Sequence, residues 1–199
     1  MDYQTTKRWF DVALSGAALI VLAPLMGAIA LGVRLTSDGP AVYRGTRLGR
    51  SGETFEMLKF RTMRTDAADI RNPDGSTYSR ADDPRVTPIG RWLRRTSLDE
   101  LPQLWNVLRG DMSFVGPRPE RPFFVEELSK AVPFYQQRHV VKPGITGWAQ
   151  VRYRYGASID DATEKLRYDL YYIKHLSIFF DLTIVFDTVK VVLFRKGAA

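Results

Sequence analysis

The chain contains no cysteine and only two histidines, His139 and His175, among its 199 residues. Without cysteine, the protein cannot form disulfide bridges, thiolate zinc sites, iron–sulfur centres or a thiol nucleophile. The two histidines lie far apart in the sequence, which argues against a histidine metal site. The sequence also has no Walker phosphate-binding loop and no serine-hydrolase elbow. These absences exclude several common classes of hydrolase, redox protein and metalloprotein.

Acidic residues are scarce relative to basic ones, because 22 Asp and Glu face 29 Lys and Arg, giving a net charge of +7. An excess of positive charge is typical of proteins whose partners carry phosphate, such as nucleic acid, anionic lipid or a phosphorylated substrate. Apolar residues make up 45% of the chain and charged residues 26%, as in a folded globular protein. The length suits one domain.

A long apolar run begins after Asp11 and ends before Arg34, with 22 residues that carry no charge. This length exceeds the roughly 18 residues at which an apolar run is typical of a membrane helix. Lys7 and Arg8 resemble the basic start of a cleaved signal peptide, but the run is longer than the ~7–15 residues of a signal-peptide core. The run is therefore predicted to be a retained membrane segment.

Pro24 lies at the centre of this segment, where proline removes a helix hydrogen bond. The two arms, Val12–Ala23 and Leu25–Thr36, would each reach only ~18 Å as helices, whereas a hydrocarbon core is ~30 Å thick. Basic residues flank both ends, and positive flanks mark the cytoplasmic side of a membrane. We predict a re-entrant helix–break–helix over residues 1–36, with a kinked single span as the alternative.

The rest of the chain, residues 37–199, is predicted to be one integrated domain of the α/β class, mostly helical. Residues 41–60 alternate like two strands around the turn Gly49–Gly52, which predicts a small β-hairpin. Loops are predicted over residues 65–90 and 117–122, and helices over 89–95, 98–109, 123–138, 160–175 and 178–194. The last helix is apolar but interrupted by charge, so it is expected to be buried or to lie in the membrane interface.

Two adjacent carboxylates, Asp99 and Glu100, stand at the start of the predicted helix 98–109. One interpretation is structural, because Ser97 with Glu100 fits a capping box and Asp99 could itself cap the helix. The other is functional, because a helix N-terminus beside arginines attracts phosphate and a carboxylate held there could attack phosphorus as a covalent nucleophile. The spacing alone does not choose between them.

Arg118 is the second candidate, since Pro117 and Pro119 fix the backbone around a guanidinium that can bind phosphate with two hydrogen bonds. The alternative is a rigid turn with an arginine that faces solvent. Lys59, at the end of the second predicted strand, is either a site residue or a solvated lysine.

Six motifs together resemble the bacterial sugar transferases, the monotopic phosphoglycosyl transferases. They are KRxFD (7–11), KFRTM (59–63), SLDELPQLWNV (97–107), GDMSFVGPRP (110–119), KPGITGWAQV (142–151) and YDLYY (168–172). The resemblance covers essentially the whole chain. One departure is Ala23-Pro24, where the family often has Ser-Pro at the membrane break. Either neighbouring residues or water satisfy the backbone groups that the serine hydroxyl could have satisfied, or the break differs in detail.

The resemblance implies transfer of a sugar 1-phosphate from a UDP-sugar to a polyprenyl phosphate, which initiates glycan or exopolysaccharide assembly. Asp99 would be the nucleophile, forming an aspartyl phospho-sugar intermediate, and Glu100 would deprotonate the lipid phosphate or help to organise Mg²⁺. Arg94 would bind phosphate, Lys59 would lie near the site, and Pro117, Arg118 and Pro119 would shape the donor pocket. Mg²⁺, held by Asp99, would screen the repulsion between carboxylate and diphosphate.

The resemblance also implies a location at the bacterial inner membrane, with a catalytic domain on the cytoplasmic face that includes amphipathic interfacial helices. Membrane lipids are then expected partners and nucleic acid is not, while a homo-oligomer is compatible with the sequence. The sequence does not identify the sugar. Two alternatives are a basic membrane-associated binding module without catalysis, and a membrane-anchored hydrolase of nucleotide sugars.

Overall fold

The computed structural model describes residues 2–68, 70, 83–153, 156 and 158–194. The helices are α1 (Tyr3–Thr36), α2 (Pro88–Thr96), α3 (Gln103–Arg109), α4 (Pro122–Ala131), α5 (Trp148–Arg152), α6 (Ile159–Lys174) and α7 (Ile178–Phe194). The strands are β1 (Val42–Leu48), β2 (Thr54–Phe60), β3 (Ser113–Val115) and β4 (Gly144–Thr146). Short 3₁₀ turns occupy Arg50–Gly52, Leu98–Glu100 and Tyr135–Val140. The prediction of a mostly helical chain with a small β-hairpin is confirmed.

Helix α1 is a single element that continues through Pro24. Asp2 caps its start, because the Asp2 carboxylate accepts a hydrogen bond of 2.8 Å from the Thr5 amide. The helix is long and apolar enough to cross a membrane. The interruption expected at Pro24 is not seen, because a proline can bend a helix without ending it. The re-entrant geometry in a membrane, and the division of the chain at residue 36, stay predictions.

Both ends of α1 contact the rest of the protein. Near its start, the Arg8 guanidinium donates hydrogen bonds of 2.7 Å to the carbonyls of Val107 and Leu108, at the end of α3. Near its end, Ile29 and Val33 are buried in an apolar cluster with residues of β2 and α2. The Arg8 hydrogen bonds satisfy carbonyl groups that the C-terminus of α3 leaves unpaired. Together with the apolar cluster, they fix α1 to the rest of the protein near both of its ends.

The hairpin β1–β2 is antiparallel, with Val42 opposite Phe60 and Leu48 opposite Thr54. It is joined to α3 by Asn106, whose side chain is fully buried. The Asn106 amide nitrogen donates to the Glu56 carbonyl at 2.7 Å, and its oxygen accepts from the Leu58 amide at 3.0 Å. One side chain therefore supplies, at the free edge of β2, the hydrogen bonds that a third strand would make.

Strands β3 and β4 form a parallel pair that the sequence analysis did not predict. Gly116 and Gly144 lie back to back at its end. A Cβ added to Gly144 would lie 2.1 Å from the Gly116 nitrogen, closer than any side chain allows. The pairing places Pro117 directly after this contact, and the Gly144 amide donates to its carbonyl at 2.9 Å.

The helix predicted over 98–109 is wrong in its first turn. Ser97 has a φ of 56°, in the left-handed region, and closes α2. A 3₁₀ turn over Leu98–Glu100 follows, and α3 begins only at Gln103. The leucine spacing that predicted one helix also fits a 3₁₀ turn followed by a short α-helix, because both place residues three apart on the same side.

The helix predicted over 123–138 is also wrong, because it ends at Ala131. Pro133 lacks an amide hydrogen and favours an extended residue before it, and Val132 is extended. The remaining residues form the separate 3₁₀ turn Tyr135–Val140.

The predicted helices 160–175 and 178–194 are confirmed as α6 and α7. Part of the predicted loop 65–90 lies outside the described residues.

The buried Asn106 contacts generate a stability prediction. Asn106→Ala should lower the free energy of unfolding by about 1–3 kcal/mol, because the Glu56 carbonyl and the Leu58 amide lose their partner. Thermal unfolding of the full chain in detergent measures the effect as a lower Tm. The control is Glu126→Ala on the exposed surface of α4, which should leave the Tm unchanged. Equal Tm values for the two variants would contradict the role of Asn106.

Candidate active site

Asp99 and Glu100 lie in the 3₁₀ turn between α2 and α3. Neither helix-capping interpretation is found, since Ser97 makes no side-chain cap hydrogen bond and the N-cap position of α3 is Pro102. The two carboxylates are therefore not engaged in capping. The left-handed backbone of Ser97 turns the chain sharply after α2, and the dyad follows directly at that corner.

Glu100 is the paired carboxylate of the two. Its Oε1 lies 2.6 Å from Lys59 Nζ and 3.8 Å from Arg118 Nη2, so a residue of β2 and a residue of the loop before α4 share one oxygen. Burial raises the pKa of Glu100, but the charges of Lys59 and Arg118 outweigh burial and lower the pKa below its usual value. Glu100 is thus ionised at neutral pH.

Asp99 differs from Glu100 in its ion pairing and in the direction of its pKa shift. Its side chain is 9% exposed, and among the described residues it takes part in no ion pair. Burial raises the pKa of Asp99, and the nearby charge of Lys59 opposes this rise without cancelling it. Two adjacent carboxylates therefore have different electrostatic environments, one stabilised by direct ion pairs and one partly desolvated, which is the pattern of acid–base or nucleophilic sites.

Arg94 reaches the dyad from the last turn of α2. Its Nε donates a hydrogen bond of 3.0 Å to Thr62 Oγ1, and its positive charge also opposes the rise in the pKa of Asp99.

Close by in the chain, the buried Asp83 and Arg85 pair at 2.8 Å. The sequence analysis missed this pair because it lies in a stretch that was interpreted as a polar surface loop.

The segment Pro117–Pro119 has a fixed backbone and an accessible side chain. Both prolines are buried, whereas the Arg118 side chain is 47% exposed. The backbone is held from both sides, because the Pro117 carbonyl accepts from the Gly144 amide at 2.9 Å and the Arg118 carbonyl accepts from Arg138 Nη2 at 3.1 Å. Arg118 therefore presents its guanidinium from a rigid support.

Arg138 is itself locked in place by a buried ion pair. Its Nη2 lies 2.8 Å from Asp169 Oδ2 on α6, and its Nη1 donates to the Tyr135 hydroxyl at 2.7 Å. The sequence analysis missed Arg138 and Asp169, which were interpreted only as parts of helices. A usable signal was the position of Asp169 within the YDLYY motif.

The structure brings the predicted site residues together in one place. Lys59 and Arg118 contact Glu100 directly, Arg94 lies near Asp99, and the two prolines support Arg118. One further residue is Gln103, which is buried beside the dyad. Its Nε2 lies near Glu100 without making a hydrogen bond of ordinary geometry. Cations around a partly buried carboxylate can bind a phosphorylated ligand and favour attack on it.

Comparisons with known proteins agree with the motifs. The family model described as bacterial sugar transferase matches residues 2–195. A UDP-N-acetylgalactosamine-undecaprenyl-phosphate N-acetylgalactosaminephosphotransferase of Aeromonas hydrophila is 41% identical over 196 residues, covering 98% of this chain and 45% of the relative. A UDP-glucose:undecaprenyl-phosphate glucose-1-phosphate transferase of Escherichia coli (strain K12) is 43% identical over 185 residues, covering 92% and 39%.

A third relative is similar in length to this chain. The exopolysaccharide production protein PSS of Rhizobium leguminosarum bv. phaseoli is 44% identical over 191 residues, which cover 92% of both proteins. By contrast, the chain spans less than half the length of the relatives from Aeromonas hydrophila and Escherichia coli.

The buried ion pair between Arg138 and Asp169, which holds the backbone of Arg118, generates a second prediction. Asp169→Asn should destabilise the protein by about 3–5 kcal/mol, because it leaves the Arg138 guanidinium buried without its counter-charge. Thermal unfolding is the measurement. The matched control is Glu164→Gln on the same helix, whose ion pair with Arg167 is exposed and should contribute little. An Asp169→Asn variant that unfolds at the wild-type temperature would contradict the bracing role.

Proposed function

The chain belongs to the bacterial sugar transferase family, and on that premise we propose that it transfers a sugar 1-phosphate from a UDP-sugar to a polyprenyl phosphate, releasing UMP. The product would be a lipid-linked diphosphate sugar that starts glycan or exopolysaccharide assembly. The observation that carries the proposal is the dyad, in which a partly desolvated Asp99, without an ion pair among the residues that the structure describes, adjoins an ion-paired Glu100. The relatives support it, since they include undecaprenyl-phosphate sugar phosphotransferases.

In the first step, an Asp99 carboxylate oxygen attacks the sugar-bearing phosphorus of the donor. A new bond joins Asp99 to phosphorus, the bond from phosphorus to the bridging oxygen breaks, and UMP leaves with that electron pair. Arg94 and Lys59, whose charges already act on Asp99, would stabilise the negative charge that spreads over the phosphate oxygens. Partial burial makes the Asp99 carboxylate less hydrated and hence more reactive.

In the second step, an oxygen of the polyprenyl phosphate attacks the same phosphorus, and the bond to Asp99 breaks, which restores its carboxylate. Glu100 is ionised and would accept the proton that the lipid phosphate carries when it binds as the monoanion. The same carboxylate holds Lys59 in place at 2.6 Å, so it would also orient a cation toward the reacting phosphates.

Asp99 is the residue that would hold Mg²⁺. No group of three or more His, Asp or Glu within the described ranges could hold a metal by itself. A magnesium ion usually binds through one or two carboxylates together with substrate phosphates and water, so a single carboxylate fits an ion that arrives with the diphosphate. When bound, Mg²⁺ would neutralise phosphate charge during attack.

The contacts of α1 support the proposal of a re-entrant segment, and the basic residues at both ends of its apolar run support a location at the cytoplasmic face of the inner membrane. Arg8 and Val33, near opposite ends of the helix, both contact the same body, whereas a full span would place the two ends on opposite sides of the bilayer. In between, Ile20 and Val21 are 78% and 75% exposed. Large exposed apolar side chains in the middle of the helix would contact lipid.

The proposed nucleophile gives a direct test. Asp99→Asn should abolish the phospho-sugar adduct, seen by intact-protein mass spectrometry, and should reduce UMP release by more than about 1000-fold. Glu127→Gln on the exposed surface of α4 is the control and should keep activity. The substrates are a panel of UDP-sugars with Mg²⁺ and polyprenyl phosphate. Unimpaired turnover by Asp99→Asn would refute the nucleophile, and free sugar phosphate as the product would favour a hydrolase instead.

The charge of Lys59 generates a pH prediction. Asp99 attacks only when deprotonated, so the rate should fall as pH drops through its pKa, which burial raises. Lys59→Met removes a charge that lowers this pKa, so the acid limb of the pH–rate profile should move to higher pH. The same change on the exposed Lys130 should leave the profile unmoved. An acid limb that stays in place or moves to lower pH would contradict the assignment.

A further inference from the structure

One face of the β1–β2 hairpin carries a second group of side chains toward the dyad. Side chains on the same face of a strand recur at every second residue, so Tyr43, Gly45 and Arg47 share a face of β1. Tyr43 is opposite Lys59 in the antiparallel register, which puts Lys59 on this same face. Because Lys59 pairs with Glu100, Arg47 stands on the hairpin face that meets the dyad.

The Arg47 side chain extends along this face over Gly45, in the direction of Tyr43 and Lys59. A Cβ added to Gly45 would lie 2.9 Å from Tyr43 Cε1 and 3.1 Å from Arg47 Nη1. The side chains of Tyr43 and Arg47 therefore both cover Gly45, the residue of β1 that has no side chain. Arg47 thus reaches back from the hairpin turn toward the end of the strand pair where Lys59 lies.

The end of β1 is also tied to the loop that carries Arg118. The Leu48 amide donates a hydrogen bond of 3.0 Å to the Glu120 carbonyl, two residues after Arg118. Burial lowers the pKa of Arg47, and the charges of Arg121 and Arg118 lower it further, while Tyr43 and Glu120 oppose the change. The Arg47 guanidinium therefore lies within electrostatic range of Arg121 and Arg118.

Arg47 has no acidic ion-pair partner within the part of the chain that the structure describes. Its Nη1 donates a hydrogen bond of 2.8 Å to the neighbouring Thr46 carbonyl. A partly buried guanidinium beside two further arginines is costly unless an anion joins them. A diphosphate donor has two phosphates, and Asp99 attacks only one of them.

We propose that Arg47, next to Arg118, binds the phosphate that leaves with the nucleoside. This inference rests on the proposed function. As the bond from the attacked phosphorus to the bridging oxygen breaks, its electron pair stays on the oxygen of the departing UMP, whose charge grows. A guanidinium that donates two hydrogen bonds to this phosphate stabilises that charge. Arg47 would then act in the half-reaction that involves nucleotide and not in transfer to the lipid.

The test separates the two half-reactions in the full chain. The first readout is exchange of labelled UMP into UDP-glucose, UDP-galactose or UDP-N-acetylgalactosamine without polyprenyl phosphate. The second is transfer of the sugar phosphate from the isolated adduct, freed of nucleotide, to polyprenyl phosphate. Arg47→Gln should slow the exchange by about 10- to 100-fold and change transfer by less than about threefold.

Arg44→Gln is the matched control, because Arg44 is on the opposite face of β1 and pairs with Glu56 in solvent. It should leave both readouts at the wild-type level. Wild-type exchange by Arg47→Gln, or an equal loss in both half-reactions, would overturn the inference. If Arg47→Gln does not fold, Arg47→Lys decides, because it keeps the charge but loses the two-pronged hydrogen bonding; exchange must again fall more than transfer.

Direct titration with UMP keeps the inference separate from the proposed function. Arg47→Gln should bind UMP about 10-fold or more weakly than the wild type, and equal affinity would overturn the inference whatever the turnover. Failure of the wild-type protein to form an adduct with any UDP-sugar would instead refute the proposed function. Weaker UMP binding by Arg47→Gln would in that case still support a nucleotide phosphate site at Arg47.

Discussion

The ion pair between Lys59 and Glu100 is the interaction on which the site depends. It joins the end of β2 to the turn between α2 and α3 at 2.6 Å, so the hairpin and the dyad are fixed relative to each other. It also acts on both carboxylates, since Lys59 lowers the pKa of Glu100 and limits the rise in the pKa of Asp99 that burial causes. One cation therefore acts on two adjacent acids whose pKa values shift in opposite directions, the pattern of sites in which two carboxylates have different roles.

Buried polar side chains hold the elements around that pair. The Asp11 carboxylate on α1 accepts hydrogen bonds of 3.1 Å from the Ser113 hydroxyl and the Phe114 amide at β3. Asn106 links α3 to β2, and Arg138 fixes the carbonyl of Arg118. Each of these contacts joins segments that are distant in the sequence. Together with the apolar clusters, these contacts fix the relative positions of the elements.

The elements that have a local sequence pattern and the residues of the candidate site could be predicted from the sequence, whereas the contacts between distant segments could not. Alternation around Gly49–Gly52 predicted the hairpin, and the resemblance to the family predicted one site with Lys59, Arg94, Asp99, Glu100 and Arg118. The parallel pair β3–β4 depends on the contact between Gly116 and Gly144, which no local pattern indicates. The left-handed Ser97 had no signal either, because such a conformation is unusual for a residue other than glycine. Arg138 was indistinguishable from a solvated helix charge until its burial was known, whereas Asp169 could have been singled out by its place in the YDLYY motif.

The attachment of α1 at both ends has a consequence for how the protein is built. Arg8 closes the C-terminus of α3, Asp11 completes β3, and Val33 fills the cluster beside β2. A helix with these contacts is a part of the fold and not a detachable tether. The apolar segment and the polar body must therefore assemble together, and at the proposed membrane location the lipid bilayer would be a folding environment for the dyad as well as a surface on which the protein resides.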